Sequence, residues 1–458
     1  FIFKGGSGAG LNISRIRSSK ELLSSGGTAS GPVSFMRGAD ASAGTIKSGG
    51  ATRRAAKMVV LDIDHPDIVE FIETKAREED KIRALRDAGF DMDLGGRDIS
   101  SVQYQNANNS VRVSDAFMTA VEQGKPFGLT SRTEPGKVLE TVDARELFGK
   151  IAQAAWECAD PGLQYDDTIN AWHTSPNSGR INASNPCSEY MSLDNSSCNL
   201  ASLNLLKFLD ENDHFDIEKF TKAVELVITA MDISICFADF PTEAIAETTR
   251  NFRQLGIGYA NLGALLMALG LGYDSDGGRA LAAAITSLMT GVSYRRSAEL
   301  AAIVGPYAGY AKNAEPHQAV MAKHRDANRQ VHPLHDNDTA ALAAAKAEWD
   351  KVIKLGHANG FRNAQASVLA PTGTIGFMMD CDTTGIEPDF SLVKFKKMVG
   401  GGSMQIVNQT VPRALKNLGY TPEQAEKIIA YISDNGSVVG APVLDETHYE
   451  VFDCAMGA

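Results

Sequence analysis

Residues 179–190 read GRINASNPCSEY, and whether they form a strand or a loop decides how the rest of the chain is arranged around them. Proline cannot donate to a sheet ladder, so Pro186 places the stretch at a loop tip rather than in a central strand. If the tip is extended, side chains two apart project to one side, and Asn185, Cys187 and Glu189 share a face. A carboxylate beside a thiol favours the S–H form over the thiolate, which disfavours ionic nucleophilic attack and zinc binding. Glu189 has the reach of a general base, and Asn185 could orient a hydroxyl by hydrogen bonding. Such a trio suits hydrogen-atom chemistry. The plain alternative is a buried turn around a small apolar cysteine.

Working outward, SSCNLASLNLLKF (196–208) alternates partly as a strand does, and its Cys198 lies eleven residues after Cys187. The two could meet if the chain folds back. A dithiol role and a structural one both stand, and the spacing fits no zinc motif. APTGTIG (370–376) joins an apolar run to FMMD. It is either a tight turn or an anion site in which Pro371, Thr372, Gly373, Thr374 and Ile375 bring hydroxyls and amides to phosphate oxygens, although it is no Walker A loop. The same alternatives hold for GGSGAG (5–10), where Gly5, Gly6, Ser7 and Gly8 permit close backbone approach without forming GxGxxG. KSGGATRRAAKM (47–58) sets Arg53, Arg54 and Lys57 behind a glycine hinge at Gly49 and Gly50, with Thr52 between. That patch is either a phosphate or base-edge contact or a solvated loop.

Around these motifs, MVVLDID (58–64) reads as a strand, and HPDIVEFIETKAREEDKIRALRDAG (65–89) as an amphipathic helix with Pro near its start and Gly at its end. Apolar spacing predicts helices over 143–158, 216–236, 254–270, 278–303 and 338–356, and another in YTPEQAEKIIAYISDNG (420–436). The class is therefore α/β. Apolar residues make up 43% and charged residues 22% of the 458, as in an ordinary globular protein with a large interior. The formal charge of −12 offers no basic face to nucleic acid. The most apolar long segment, 256–273, carries several glycines and an Asn and reads as a buried helix rather than a membrane span. Six cysteines without a CxxC pair read as reduced thiols of a soluble, cytoplasmic protein. FIFKGGSGAG at the start lacks the features of a signal peptide and looks like a strand and turn.

Taken in order, FKGGSGAGLNISRIR, KSGGATRRAAKMVVLDIDHPDI, GRINASNPCSEY, SSCNLASLNL, FRQLGIGYANLGALLM, RNAQASVLAPTGTIGFMMDCDTTGIEPD and GGGSMQIVNQTV resemble the adenosylcobalamin-dependent (class II) ribonucleotide reductases. The resemblance spans nearly the whole chain. It implies one catalytic domain over residues 1–458, a ten-stranded α/β barrel, incomplete at both ends, with a central finger loop at about 180–200. On that loop Cys187 is the thiyl radical, generated through adenosylcobalamin without a second subunit. Glu189 deprotonates the ribose 3′ hydroxyl, Asn185 holds the substrate with Ser184 beside it, and Cys198 is one member of the redox pair. Pro371 to Gly376 resemble the substrate diphosphate cradle. Effector loops at about 18–58, including SSGGTASG (24–31) and the segment from Gly49 to Lys57, resemble the elements through which a deoxynucleotide or ATP effector at a homodimer interface selects the substrate base. The family's second redox cysteine precedes FKGGSGAG, and its last barrel strand and C-terminal cysteine tail, which meets a thioredoxin-type reductant, follow FDCAMGA. The resemblance thus implies an internal fragment. A nucleotide-binding module without turnover and a glycyl-radical enzyme are the competing readings. The resemblance is to the enzymes that use diphosphates.

Overall fold

MVVLDID does form a strand, and it lies inside a parallel sheet. The computed structural model describes residues 7–46, 56–93, 96–397 and 403–458. The chain divides into two compact units, Phe1–Asp194 and Asn195–Ala458.

In the first unit β1 (Gly8–Asn12), β2 (Ala56–Asp62), β3 (Asn108–Val113) and β6 (Gly162–Tyr165) form one all-parallel sheet in the order β1-β2-β3-β6. Helices α1 (Pro32–Thr45), α2 (Ile68–Asp87), α3 (Asp115–Gln123) and α4 (Ala144–Cys158) pack with it, while β4 (Pro126–Thr130) and β5 (Val138–Asp143) make an antiparallel hairpin and α5 (Asp166–Ala171) follows β6. The pleat sorts the sheet's side chains with a period of two. Val59, Leu61, Val111, Val113 and Leu163 enter the core with Phe71, Ile72, Leu147 and Ile151 of the helices. On β1, β3 and β6 the opposite positions are glycine or polar, namely Gly8, Gly10 and Asn12, then Asn108, Ser110 and Arg112, then Gln164, with Met58 and Val60 of β2 between them. That polar face receives the chain around residues 181–191.

In the second unit β7 (Asn199–Asn204) pairs in parallel with β8 (Leu255–Ala260), whose far side is bonded by residues 365–368. Helices α6 (Ile217–Ile235), α7 (Glu243–Phe252), α8 (Leu262–Ala268), α9 (Asp276–Val304), α10 (Tyr310–Asn328) and α11 (Asp336–Asn359) build most of the remainder. Phe220, Val224, Ile228 and Met231 of α6, at spacings of three and four, meet Leu281, Ile285, Leu288 and Val292 of α9 and Trp349 and Val352 of α11 in one core. The short α12 (Thr374–Met378), the β9 (Val393–Lys397) and β10 (Ser403–Val407) hairpin, α13 (Val411–Asn417) and α14 (Pro422–Asn435) complete it. Among the described residues the strands close no sheet, so the architecture is α/β without a closed ten-stranded ladder. The single helix expected over 254–270 is a strand, β8, then α8. The break falls at Asn261, held in the left-handed region at φ 70°. Among the described residues, no helix is long and apolar enough to cross a membrane.

Two histidines in the second core make it acid-sensitive. His317 is fully buried, stacks on Phe361 at 4.3 Å and shares a 3.0 Å hydrogen bond with the Tyr307 hydroxyl. Burial pulls its pKa from 6.5 down to about 3, and burial likewise lowers His324 to about 4. Both are neutral in the fold, so between pH 6.5 and those values the unfolded chain binds more protons and stability falls with pH. Each histidine is expected to cost about 2–3 kcal/mol between pH 6.5 and 4.5. Thermal melts across that range should show a steep decline that flattens in His317→Leu; an equal slope in the variant would contradict the assignment.

Candidate functional site

The chain at Asn185–Tyr190 is a closed turn rather than a pleated strand. The Asn185 N–H donates to the Tyr190 carbonyl at 3.3 Å, the Tyr190 N–H donates to Asn185 Oδ1 at 2.9 Å, and the Ser188 N–H donates to the Asn185 carbonyl at 3.1 Å. Ser184 and Met191 form an antiparallel bridge just outside it. Ser188 sits in the left-handed region, φ 66°, where a non-glycine residue needs outside support. The loop tip that Pro186 implied is therefore present, but the shared face of a strand is not. Cys187 is exposed at the tip. Oε2 of Glu189 is buried and has no hydrogen-bond partner among the described residues. Asn185 spends its Oδ1 on the turn.

The polar sheet face explains how the turn is held. A Cβ on Gly10 would stand 1.6 Å from the Ser184 carbonyl oxygen, and one on Gly8 2.8 Å from the Pro186 ring, so these two glycines are what lets the turn lie against β1. Asn108 Nδ2 donates to the Pro186 carbonyl at 2.8 Å, and Asn12 Nδ2 to the Asn182 carbonyl at 2.9 Å. Buried Arg112 donates to Ile181 O, to Asp166 at 2.8 Å and to Gln164 Oε1 at 2.9 Å. Ser184, expected among the substrate contacts, is buried, accepts from Gln164 Nε2 at 2.7 Å and donates to the Asn185 carbonyl at 2.8 Å. Its hydroxyl is committed to the turn. Asn108, Arg112 and Gln164 were missed by sequence reasoning; the signal was the alternation of polar residues in NNSVRV (108–113), which marks a sheet face too polar for a core.

In the second unit Cys198 is partly buried and immediately precedes β7. The next residue, Asn199, donates to the Met231 carbonyl at 3.0 Å, and Ser197 is bonded to Thr249 Oγ1 at 3.0 Å, which fix the chain on both sides of the thiol. The 370–376 loop follows the segment along β8. Thr372 turns inward: it is buried at φ 50°, and its hydroxyl meets Ser202 Oγ at 2.8 Å. Pro371, Gly373, Thr374 and Ile375 are exposed. The outer surface of the 370–376 loop therefore consists of Pro371, Gly373, Thr374 and Ile375, with Thr372 as its anchor. Asn261, Asn204 and Thr383 tie the loop's far side together: Asn261 Nδ2 donates to Asn204 Oδ1 at 3.0 Å, the Thr383 N–H to Asn261 Oδ1 at 3.0 Å, and Asn204 Nδ2 to the Met379 carbonyl at 3.0 Å.

Of the remaining expected sites, Gly5, Gly6, Gly49, Gly50, Thr52, Arg53 and Arg54 lie outside the described residues. Ser7 is exposed at the start of β1. Residues 24–31 form a small turn in which Gly26 and Gly27 take φ 90° and 83°. Glu21 beside it is opposed by burial but held at a pKa of about 2 by hydrogen bonds from Ser131, Thr133 and backbone N–H groups. Lys57 is a correction. It belongs to β2 rather than to a loop, and the pleat turns it beneath α1, with Nζ buried, 3.8 Å from Asp40 Oδ1 and without a hydrogen-bond partner among the described residues. Burial lowers its pKa, against the pull of Asp40.

A family model described as "Ribonucleotide reductase, barrel domain" matches residues 1–458. The chain is 75% identical over 460 residues to the vitamin B12-dependent ribonucleotide reductase of Streptomyces avermitilis, covering 100% of this chain and 48% of that protein. Identity to the protein of the same name from Rhodopirellula baltica is 52% over 456 residues, 99% of this chain and 44% of the relative. A Mycobacterium tuberculosis protein named vitamin B12-dependent ribonucleoside-diphosphate reductase is 32% identical over 444 residues, 96% of this chain and 54% of that protein. The chain spans about half the length of the curated relatives it matches.

Proposed function

The chain belongs to the ribonucleotide reductase family, by its barrel domain, and on that premise we propose that it carries the site at which a ribonucleotide is reduced to the 2′-deoxyribonucleotide. The observation that carries this reading is the Cys187 turn: an exposed thiol two residues from a carboxylate whose Oε2 is buried and unpartnered among the described residues. A buried, unpaired carboxylate oxygen is costly unless something arrives to bond it. A ribose hydroxyl has the right chemistry.

In this reading Cys187, as the thiyl, takes the 3′ hydrogen atom, Glu189 Oε2 takes the 3′ hydroxyl proton, and Asn185 Nδ2 holds a ribose oxygen. The 2′ hydroxyl leaves as water with a proton from the thiol pair of Cys198 and a second cysteine; that pair supplies the two electrons and the hydrogen that C2′ gains, and becomes a disulfide. Glu189 returns its proton to the 3′ oxygen, and the Cys187 S–H returns its hydrogen to C3′. Thr374 and the amides of 371–376 hold the phosphates. The Mycobacterium relative's name favours a diphosphate. Cys187 also fits the family's cobalamin, because an exposed thiol is open to a group brought from outside the chain, and it is the residue that would face it. When bound, adenosylcobalamin supplies the radical that draws the hydrogen atom from this thiol.

The same reading assigns Gly49, Gly50, Thr52, Arg53, Arg54 and the 24–31 turn to effector communication in a homodimer, with a thioredoxin-type protein as reductant, and a ten-stranded barrel around the turn in the full-length protein. Given adenosylcobalamin, a dithiol and a ribonucleotide, the full-length protein containing this chain is expected to accumulate deoxyribonucleotide. Product without the cofactor, or nucleotide binding with no product in its presence, would contradict the proposal; the second result would favour a binding module.

A further inference from the structure

We infer that Gln164 is a positioning residue for the Cys187 turn, its one side-chain amide nitrogen holding the serines on both flanks of the thiol. Gln164 is 2% exposed, on the face of β6 that lies against the turn. Its Nε2 donates to Ser184 Oγ at 2.7 Å and to Ser188 Oγ at 3.2 Å, and the two hydroxyls stand 3.3 Å apart. The amide cannot flip without loss, because Oε1 accepts from Arg112 Nη1 at 2.9 Å and Arg112 is itself held by Asp166. Ser188 is the strained member, at φ 66°, and its side-chain bond to Gln164 is what opposes relaxation of the backbone toward ordinary φ. Cys187 precedes Ser188 and Glu189 follows it, so relaxation there moves the thiol and the carboxylate together.

The inference rests on the reading that Cys187 and Glu189 carry the chemistry, and two readouts on the full-length protein keep them apart. Site-resolved alkylation of Cys187 by iodoacetamide reports the turn; kcat and KM report the reaction. In Gln164→Met, alkylation is expected to quicken and kcat to fall about tenfold to a hundredfold with KM little changed, as for reacting groups displaced by about 1 Å. Gln164→Glu should recover part of both, since a carboxylate still accepts from Arg112 and the Ser188 hydroxyl can donate to it, while Ser184 keeps its donation to the Asn185 carbonyl. Ser188→Ala, which removes one bond and leaves Arg112 paired, should move both readouts the same way by less, and serves if the Met variant fails to fold. Unchanged alkylation and kcat in Gln164→Met, or no recovery with Glu, would overturn the role. A wild-type protein that reduces nothing would instead overturn the reading of the site, and the alkylation rates would still decide the turn.

Discussion

Cys187→Ser is expected to abolish ribonucleotide reduction while leaving the fold and nucleotide binding intact. An alcohol O–H is too strong a bond to exchange a hydrogen atom with ribose carbon, so the loss should reach at least about 10⁴-fold, or about 5.5 kcal/mol on the barrier. The turn supports the other half of the expectation. Cys187 is exposed and serine is nearly isosteric with it, and backbone and side-chain bonds of Asn185, Ser188 and Tyr190 close the turn. Melting temperature and nucleotide affinity in the full-length variant should match the wild type. Turnover retained by the serine protein would remove Cys187 from the mechanism.

Glu189→Gln should be nearly as damaging by a different route. The glutamine keeps the shape and the hydrogen-bonding reach but cannot accept a proton at Oε2. Removing a positioned general base typically costs about 10²–10⁴ in rate, and the loss should fall on kcat with KM little changed. Because Glu189 Oε2 has no hydrogen-bonded partner to abandon among the described residues, the substitution should not destabilise the turn. A variant with raised KM and wild-type kcat would recast Glu189 as a binding residue.

The helices were legible because each carries local signals. α14 has Pro422 in its first turn, a Thr421–Gln424 capping box and Gly436 at its end; α6 shows its buried stripe directly. Where the signal was composition without period, the reading failed. β8 is buried at every position, and a short, wholly apolar run does not distinguish strand from buried helix. α10 went unread because Pro316 lies inside it and most of its apolar residues are alanines, which mark no buried stripe. At the site, the residue types pointed to the Cys187 turn, yet not to the work each side chain does within it. Asn185 Oδ1 and the Ser184 and Thr372 hydroxyls are bound by the protein itself, and such inward commitments arise from long-range contacts that no local pattern encodes. Lys57 misled for the same reason: its charge reads as loop, but its register in β2 is set by β1 and β3.

The central claim is that the Cys187 sulfur removes the ribose 3′ hydrogen. The most direct measurement compares reduction of a 3′-deuterated ribonucleotide with its protiated form by the full-length protein, under adenosylcobalamin and a dithiol. The account predicts slower reduction of the deuterated substrate in wild type and in Glu189→Gln, and no reduction of either form in Cys187→Ser. Equal rates for the two substrates, together with deoxynucleotide formed by the serine variant, would contradict it.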